Sequence, residues 1–239
     1  MANDLADLFP KAAKQKTQAD IVFCLDVTGS MQPCIDGLKS CMVSFVSGLH
    51  SAAEVDYRLR LIAYRDIHCE VFEGHRPCDE PWFESEFTND YQEFIGWLNR
   101  PEVQAYGGGD DPESTLDALY RAIKNSKWRS EGTYRSIVLF SDDDSHPTLH
   151  PSTYKFPDNT VDRVKQEFQT MKHATLFMVV PRFPIYEQLE KAMQDAHRKV
   201  IAKYEANAQD GLQSVNWIKY LEFIGQSVSK SSIQNWNRG

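Results

Sequence analysis

Ile21-Val22-Phe23-Cys24-Leu25-Asp26-Val27-Thr28-Gly29-Ser30-Met31 decides how this chain is read. Five apolar residues run without interruption into Asp26. Such a run, bounded by a turn, describes a strand buried on both faces, as in a parallel sheet. A carboxylate closing that strand contributes nothing to packing. Thr28 and Ser30 follow at alternate positions, and Gly29 permits a tight turn. Residues two apart on extended backbone share a side, so Asp26, Thr28 and Ser30 can aim a carboxylate and two hydroxyls at one point. Converging hard oxygens suit Mg²⁺, Mn²⁺ or Ca²⁺. The plainer alternative is that Thr28 or Ser30 caps the following helix. Capping accounts for one hydroxyl and leaves Asp26 unexplained.

Outside this stretch, the composition bounds the answer. The 239 residues are 41% hydrophobic and 25% charged, which is the balance of a soluble globular protein with room for a sizeable core. A net charge of −8, with no basic run interleaved with aromatics, argues against a nucleic-acid surface. No apolar stretch approaches the ~20 residues of a membrane span. Met1 to Asp20 is polar and lacks the apolar centre of a signal peptide. Cys24, Cys34, Cys41, Cys69 and Cys78 form an odd set without a CxxC pair. Reduced thiols in a cytoplasmic protein are the simplest reading, and zinc does not suit the spacing.

Along the chain, residues 1–17 are expected to form an arm or first helix, and 18–239 a single domain. A strand covers about 20–26. A helix follows from Ile35 to His50, with Leu38, Met42, Phe45, Val46 and Leu49 on one face. Tyr57 to Tyr64 reads as a second strand ending at Arg65-Asp66, with 69–73 as a return edge strand and His75 to Trp82 as a loop. A helix is expected near 90–98. Gly107-Gly108-Gly109-Asp110-Asp111-Pro112-Glu113 is a loop entering a helix, with Pro112 in its first turn. Ser136 to Ser141 is another buried strand, closed by Asp142-Asp143-Asp144. Val161 to Lys172 reads as an amphipathic helix and Leu176 to Val180 as a buried strand. Ile185 to Ala208 reads as one long charged helix. The tail from Val215 reads as a short strand and then a helix at 219–229. Strands alternating with helices predict a doubly wound α/β fold with a mostly parallel central sheet and helices on both faces. Ligands of such sheets bind at the carboxyl ends of the strands, where Asp26 and Asp142 both fall.

Three polar loops combine: Asp26-x-Thr28-x-Ser30, the Gly107 to Glu113 loop, and Asp142. This pattern resembles the von Willebrand factor type A domain and its metal-ion-dependent adhesion site. That site uses D-x-S-x-S, a distant Thr, and an Asp after the fourth strand. Here Thr28 keeps the first hydroxyl, and Asp110 stands in the loop where the family has its Thr. The Gly-Gly-Gly-Asp-x-Pro-Glu loop, Ala63-Tyr64-Arg65-Asp66 and the Asp142 to His146 spacing are together similar to one branch of the family. That branch includes bacterial intracellular members and domains fused to atypical kinases.

The resemblance implies a variant adhesion site with Asp26, Thr28, Ser30, Asp110 and Asp142 around a divalent cation, Mg²⁺ or else Mn²⁺ or Ca²⁺. It implies a non-enzymatic module that binds another protein, whose acidic side chain fills the open coordination position. A third carboxylate would neutralise the cation further and weaken that pull on an acid. The family also implies an intracellular adaptor in a multiprotein system of the stress or defence type, and Phe223 to Ser229 is loosely similar to tellurium-resistance members. Asp110 has a second reading as a helix N-cap. Asp143 and Asp144 read as solvated or water-holding acids, His146 as a hydrogen-bonded histidine, and Asp66 as a rim residue paired with Arg65. The rival is a Mg²⁺-dependent phosphatase or ATPase of the haloacid dehalogenase type with Asp26 as nucleophile. Against it, Thr28 stands where that class carries a second Asp. A metal-free scaffold is the third reading, and the retained acids oppose it.

Overall fold

The computed structural model describes residues 17–52, 54–68, 82–107, 112–130, 132–195, 197–205 and 211–236, the side chains of 235 and 236 excepted. The expected arm, the edge strand at 69–73 and most of the loop from His75 therefore lie outside the described residues. So do Cys69 and Cys78.

The apolar run at the start becomes β1 (Thr17–Asp26), in which every residue but Gln18 is buried. It pairs in parallel with β2 (Val55–Tyr64) on one side and β4 (Tyr134–Phe140) on the other. Beyond them lie β3 (Phe83–Glu84), which pairs antiparallel with β2, and β5 (Ala174–Val180) followed by β6 (Arg198–Tyr204). The sheet order is β3-β2-β1-β4-β5-β6. Successive connections run outward from β1 in one direction and then outward from β4 in the other. The order therefore reverses between β1 and β4, which is the switch point of a doubly wound sheet.

Side chains of β1 alternate between two cores, as a pleat requires. Ile21, Phe23 and Leu25 join the core under α1 (Gln32–Leu49), α2 (Tyr91–Leu98) and α6 (Trp217–Trp236). Phe23 meets Phe94 and Phe45 there, ring centroids 5.0 and 5.5 Å away. Val22 and Cys24 face α3 (Thr115–Asn125), α4 (Val161–Thr170) and α5 (Pro184–Ala192). Cys24, Cys34 and Cys41 are buried free thiols. No described helix is long and apolar enough to cross a membrane.

Three expectations need correction. Ile185 to Ala208 is not one helix: α5 ends at Ala192 and β6 runs from Arg198 to Tyr204. Leu189, Met193, Ala196 and Val200 keep a three- to four-residue spacing in the sequence by coincidence, because β6 is an edge strand that buries only Val200. The tail forms no strand before its helix: 211–215 turn, and α6 then runs to Trp236. Gly225 sets how closely α6 lies on α1, since a Cβ there would fall 2.5 Å from the Phe45 carbonyl oxygen. Finally, α3 begins at Thr115, so Pro112 is not in its first turn. The backbone of Glu113 is held extended instead, donating to Asp144 O at 3.0 Å and accepting from His146 N at 2.9 Å.

Candidate functional site

Asp26 is the last residue of β1 and is fully buried. Its Oδ1 accepts from the Thr28 amide at 2.9 Å and the Thr28 hydroxyl at 2.7 Å. Its Oδ2 accepts from the Ser141 hydroxyl at 2.9 Å. Thr28 has extended backbone, as the alternation argument requires, and its hydroxyl does not cap the following turn. Capping therefore fails to explain Thr28. Ser30 sits in the 3-10 turn Gly29–Met31 and is exposed, so a turn and not an extended strand places it.

The neighbouring strand supplies the second acid. Leu25 and Phe140 are paired, so Ser141 and Asp142 leave the sheet beside Asp26. Asp142 is buried. Burial, then the charge of Asp142, pushes the Asp26 carboxyl up to about 7 against the opposing pull of the Thr28 and Ser141 hydrogen bonds. These are two buried like charges at the switch point.

The second loop is stitched to the first. Tyr106 N donates to Val27 O at 3.2 Å, and Gly29 N donates to Gly107 O at 3.1 Å. Gly107 has a φ of 75°, which an L side chain would strain. Asp110 lies outside the described residues. The N-cap position of α3 is Ser114, whose side chain makes no capping hydrogen bond.

Around this centre the remaining polar residues are ordered. Asp66 is buried, and its Oδ1 lies 3.0 Å from the Ser114 hydroxyl, 2.8 Å from the His68 amide and 2.9 Å from His146 Nε2. His146 is thus hydrogen-bonded as expected. Arg65 is fully buried and donates to the carbonyls of Glu102, Gln104 and Tyr106 at 2.8–3.0 Å. Asp143 and Asp144 are half-buried and accept from the backbone amides of Asp144 and Ser145. Among the described residues no three His, Cys, Asp or Glu side chains group so as to enclose a metal as they stand.

Two residues of this region escaped the sequence reading. Ser141 was visible as a hydroxyl at the end of a buried strand, directly before Asp142. Glu113 was visible only as the end of a loop motif. In the fold it is buried, and burial followed by the charges of Asp26, Asp66, Asp143 and Asp142 pushes its carboxyl up to about 10.

No family profile matches the chain. Over 172 residues it is 27% identical to the alpha-protein kinase vwkA of Dictyostelium discoideum, covering 68% of this chain and 24% of the kinase. The chain thus spans about a quarter of the length of that relative. Among solved structures it is similar to the SpRpn10 VWA domain, with a TM-score of 0.53 at 10% identity over 83% of this chain and 96% of that one. The PilB minor pilin of Streptococcus sanguinis gives 0.54 at 10% identity, over 92% and 64%. The pilus adhesin SpaC of Lactobacillus rhamnosus GG gives 0.53 at 14% identity, over 91% and 31%. These likenesses, together with the sheet order reversing between β1 and β4, show that this chain has the von Willebrand factor type A fold.

Proposed function

We propose that the chain is a divalent-metal-dependent protein-interaction module and not an enzyme. The observation that carries the reading is Asp26, a buried carboxylate positioned by Thr28 and Ser141 and facing a second buried acid, Asp142, at the switch point. Two like charges held together out of water are stable company only for a cation or a proton. The available donors are carboxylate and hydroxyl oxygens, which fit Mg²⁺ first and Mn²⁺ or Ca²⁺ next. Asp26 and Asp142 would hold the ion, with Thr28, Ser30 and Asp110 around it. A bound ion supplies an open coordination position for an oxygen of a partner protein. The residues of this chain orient that position: Thr28 and Ser141 fix the Asp26 carboxylate, and Gly107 ties the second loop to the first.

The similarity to a kinase chain agrees with the branch of the family that the loop motif resembles. We therefore read the module as a cytoplasmic adaptor within a larger assembly of the stress or defence type, with a protein as partner. Phosphotransfer through Asp26 is the weaker reading. Thr28 stands two residues after Asp26, where that class of enzyme carries a second Asp.

Calorimetric titration with Mg²⁺, Mn²⁺ and Ca²⁺ tests the proposal. Wild type should bind, and Asp26→Ala should not. Free metal at 100-fold over its dissociation constant should also stabilise wild type alone by about 2.7 kcal/mol. Asp110→Asn should weaken binding roughly 10–100-fold, the range for lost supporting partners. Equal metal response in wild type and Asp26→Ala would remove the site, and an Asp110→Asn curve that overlays wild type would remove Asp110 from it.

A further inference from the structure

We propose that a cavity beside the switch point receives a Lys or Arg side chain of a protein partner, which rests on the chain being an interaction module. The cavity holds about 550 Å³, inside the range of roughly 300–1,000 Å³ usual for binding pockets. Its walls come from the approach to α3, the connection between β4 and α4, and the first turns of α4 and α5. All of these lie at the carboxyl end of the sheet, where Asp26 and Asp142 also fall. The first two walls are joined by backbone: Glu113 N donates to Asp144 O at 3.0 Å, and His146 N donates to Glu113 O at 2.9 Å. The cavity is therefore fixed to the segment that directly follows Asp142, within reach of a partner seated at that acid.

The lining selects the occupant. Pro112, Pro147 and Pro184 are rigid walls, and Val161 and Ile185 add branched apolar surface. Such walls suit an alkyl stem that carries its charge outward. Both charged lining residues are acids, Asp144 and Asp162, and no Lys, Arg or His is among the described lining. Asp144 is half-buried; its Oδ1 accepts from the Ser145 amide at 2.8 Å, and its Oδ2 accepts no hydrogen bond among the described residues. Asp162 is exposed at the rim, and its Oδ1 meets Lys165 at 2.5 Å, a surface pair that an incoming cation displaces at little cost. Gln188 offers a further side-chain oxygen. An apolar stem under a cationic head is the shape of Lys and Arg. An anion is the competing occupant, because α4 and α5 both begin here and helix starts attract negative charge. The chain has already answered that field. Asp162 and Glu187 sit in the first turns of α4 and α5, and α5 opens with Pro184, which has no N–H to donate. The net charge of −8 favours a basic partner in the same sense.

Capped pentapeptides Gly-Gly-X-Gly-Gly, with X as Arg, Lys, norleucine or Glu, test this by protein-observed NMR titration in chelator. The Arg and Lys peptides should shift the amides of Ser145, Val161 and Ile185, with dissociation constants in the millimolar range that so small a ligand allows. The norleucine and Glu peptides should bind more weakly by at least about 5-fold. Asp162→Asn should weaken the Arg peptide about 2–5-fold, the scale of an exposed ion pair. Asp144→Asn should weaken it about 10-fold, as a half-buried charged contact. Neither change should alter the norleucine peptide. Should Asp144→Asn disturb the fold, which far-UV circular dichroism would report, the exposed Asp162 still carries the test. No shift with either cationic peptide, equal binding of the norleucine peptide, or tighter binding of the Glu peptide overturns the proposal. Free arginine binding more tightly than its peptide marks a small-molecule site and overturns the assignment to a protein partner. Because the titrations run in chelator, failure of the cavity leaves the metal reading standing, and failure of the metal site leaves these outcomes unchanged.

Discussion

Asp20 and Asp26 lie on the same strand, and both are fully buried. Their surroundings are opposite. Asp20 accepts from Arg58 Nε and Nη2 at 2.9 and 2.7 Å, and from the Arg129 amide and Nε at 2.7 and 2.8 Å. Arg129 continues to Asp56 and so ties the amino ends of β1 and β2 together. Asp26 receives hydroxyls and one amide, and the charge that bears on it is that of another acid, Asp142. One end of β1 has its counter-ions built in from the chain. The other end has hydrogen bonds that aim a carboxylate, and they come from hydroxyls and an amide of the described residues, not from a side-chain cation. A buried charge with its partners supplied is architecture, whereas one arranged beside a like charge is a place for something that arrives from outside.

The comparison is broken most severely by removing charge at the architectural end. Asp20→Asn leaves two guanidinium groups short of a carboxylate. Loss of one member of a buried pair costs about 3–5 kcal/mol. The lower end applies here, because Arg58 and Arg129 keep some contact with water and Arg129 retains Asp56. Urea unfolding should show a loss of roughly 3 kcal/mol with or without Mg²⁺. A loss below about 0.5 kcal/mol, the scale of an ordinary surface change, would show that the arginine network is incidental.

Asp66 is the intermediate case and sharpens the contrast. It sits among the acids at the carboxyl end, yet two histidine-bearing loops serve it. Burial raises its carboxyl pKa, but the His146 side chain, the His68 amide and the Ser114 hydroxyl outweigh burial and hold it below the usual range. The His68 ring stacks on His146 with centroids 4.0 Å apart and reaches Asp117 at 3.0 Å. A depressed carboxyl contributes stability above its unfolded pKa, near about 4, and loses it as pH falls through the lower folded value. Asp66→Asn should therefore cost about 1–3 kcal/mol at pH 7, with the difference from wild type shrinking below about pH 4. A penalty that does not change with pH would show that the carboxylate charge is irrelevant there.

How much of this was legible in the sequence follows from the range of the forces involved. β5 is buried throughout, and β1 and β4 at all but one position each, so their apolar runs announced them, and the acids closing β1 and β4 stood out against those runs. Alternation of strands and helices announced a doubly wound sheet, but the place where its order reverses, between β1 and β4, is set by long-range pairing that no local pattern carries. β6 is an edge strand with one buried residue, Val200, so it has almost no pattern of its own and was absorbed into the helix before it. The Asp20 network was invisible because its partners are 38 and 109 residues away in the chain, and nothing local marks a strand-start Asp as paired. Ser141 was hidden for a related reason: its hydroxyl is bonded to an acid on another strand. Ser30 was placed in the right loop by the wrong geometry, since a 3-10 turn replaces extended backbone after Thr28.

The smallest expected effect is the most discriminating. Asp26→Asn is the same substitution as Asp20→Asn on the same strand at the same burial, so side-chain volume and strand propensity cancel between the two. The Asn oxygen can still accept from the Thr28 amide and hydroxyl, and its amide nitrogen can donate to the Ser141 hydroxyl, which reverses its role at no loss. Against that exchange stands one gain: the charge facing Asp142 is gone. At pH 8, above the value of about 7 at which Asp26 ionises, the metal-free protein should change by less than about 0.5 kcal/mol, or become slightly more stable. The same variant should lose the stabilisation that Mg²⁺ gives wild type. If Asp26→Asn in chelator is instead as damaging as Asp20→Asn, Asp26 is held in place for the fold, and the two ends of β1 are both architecture.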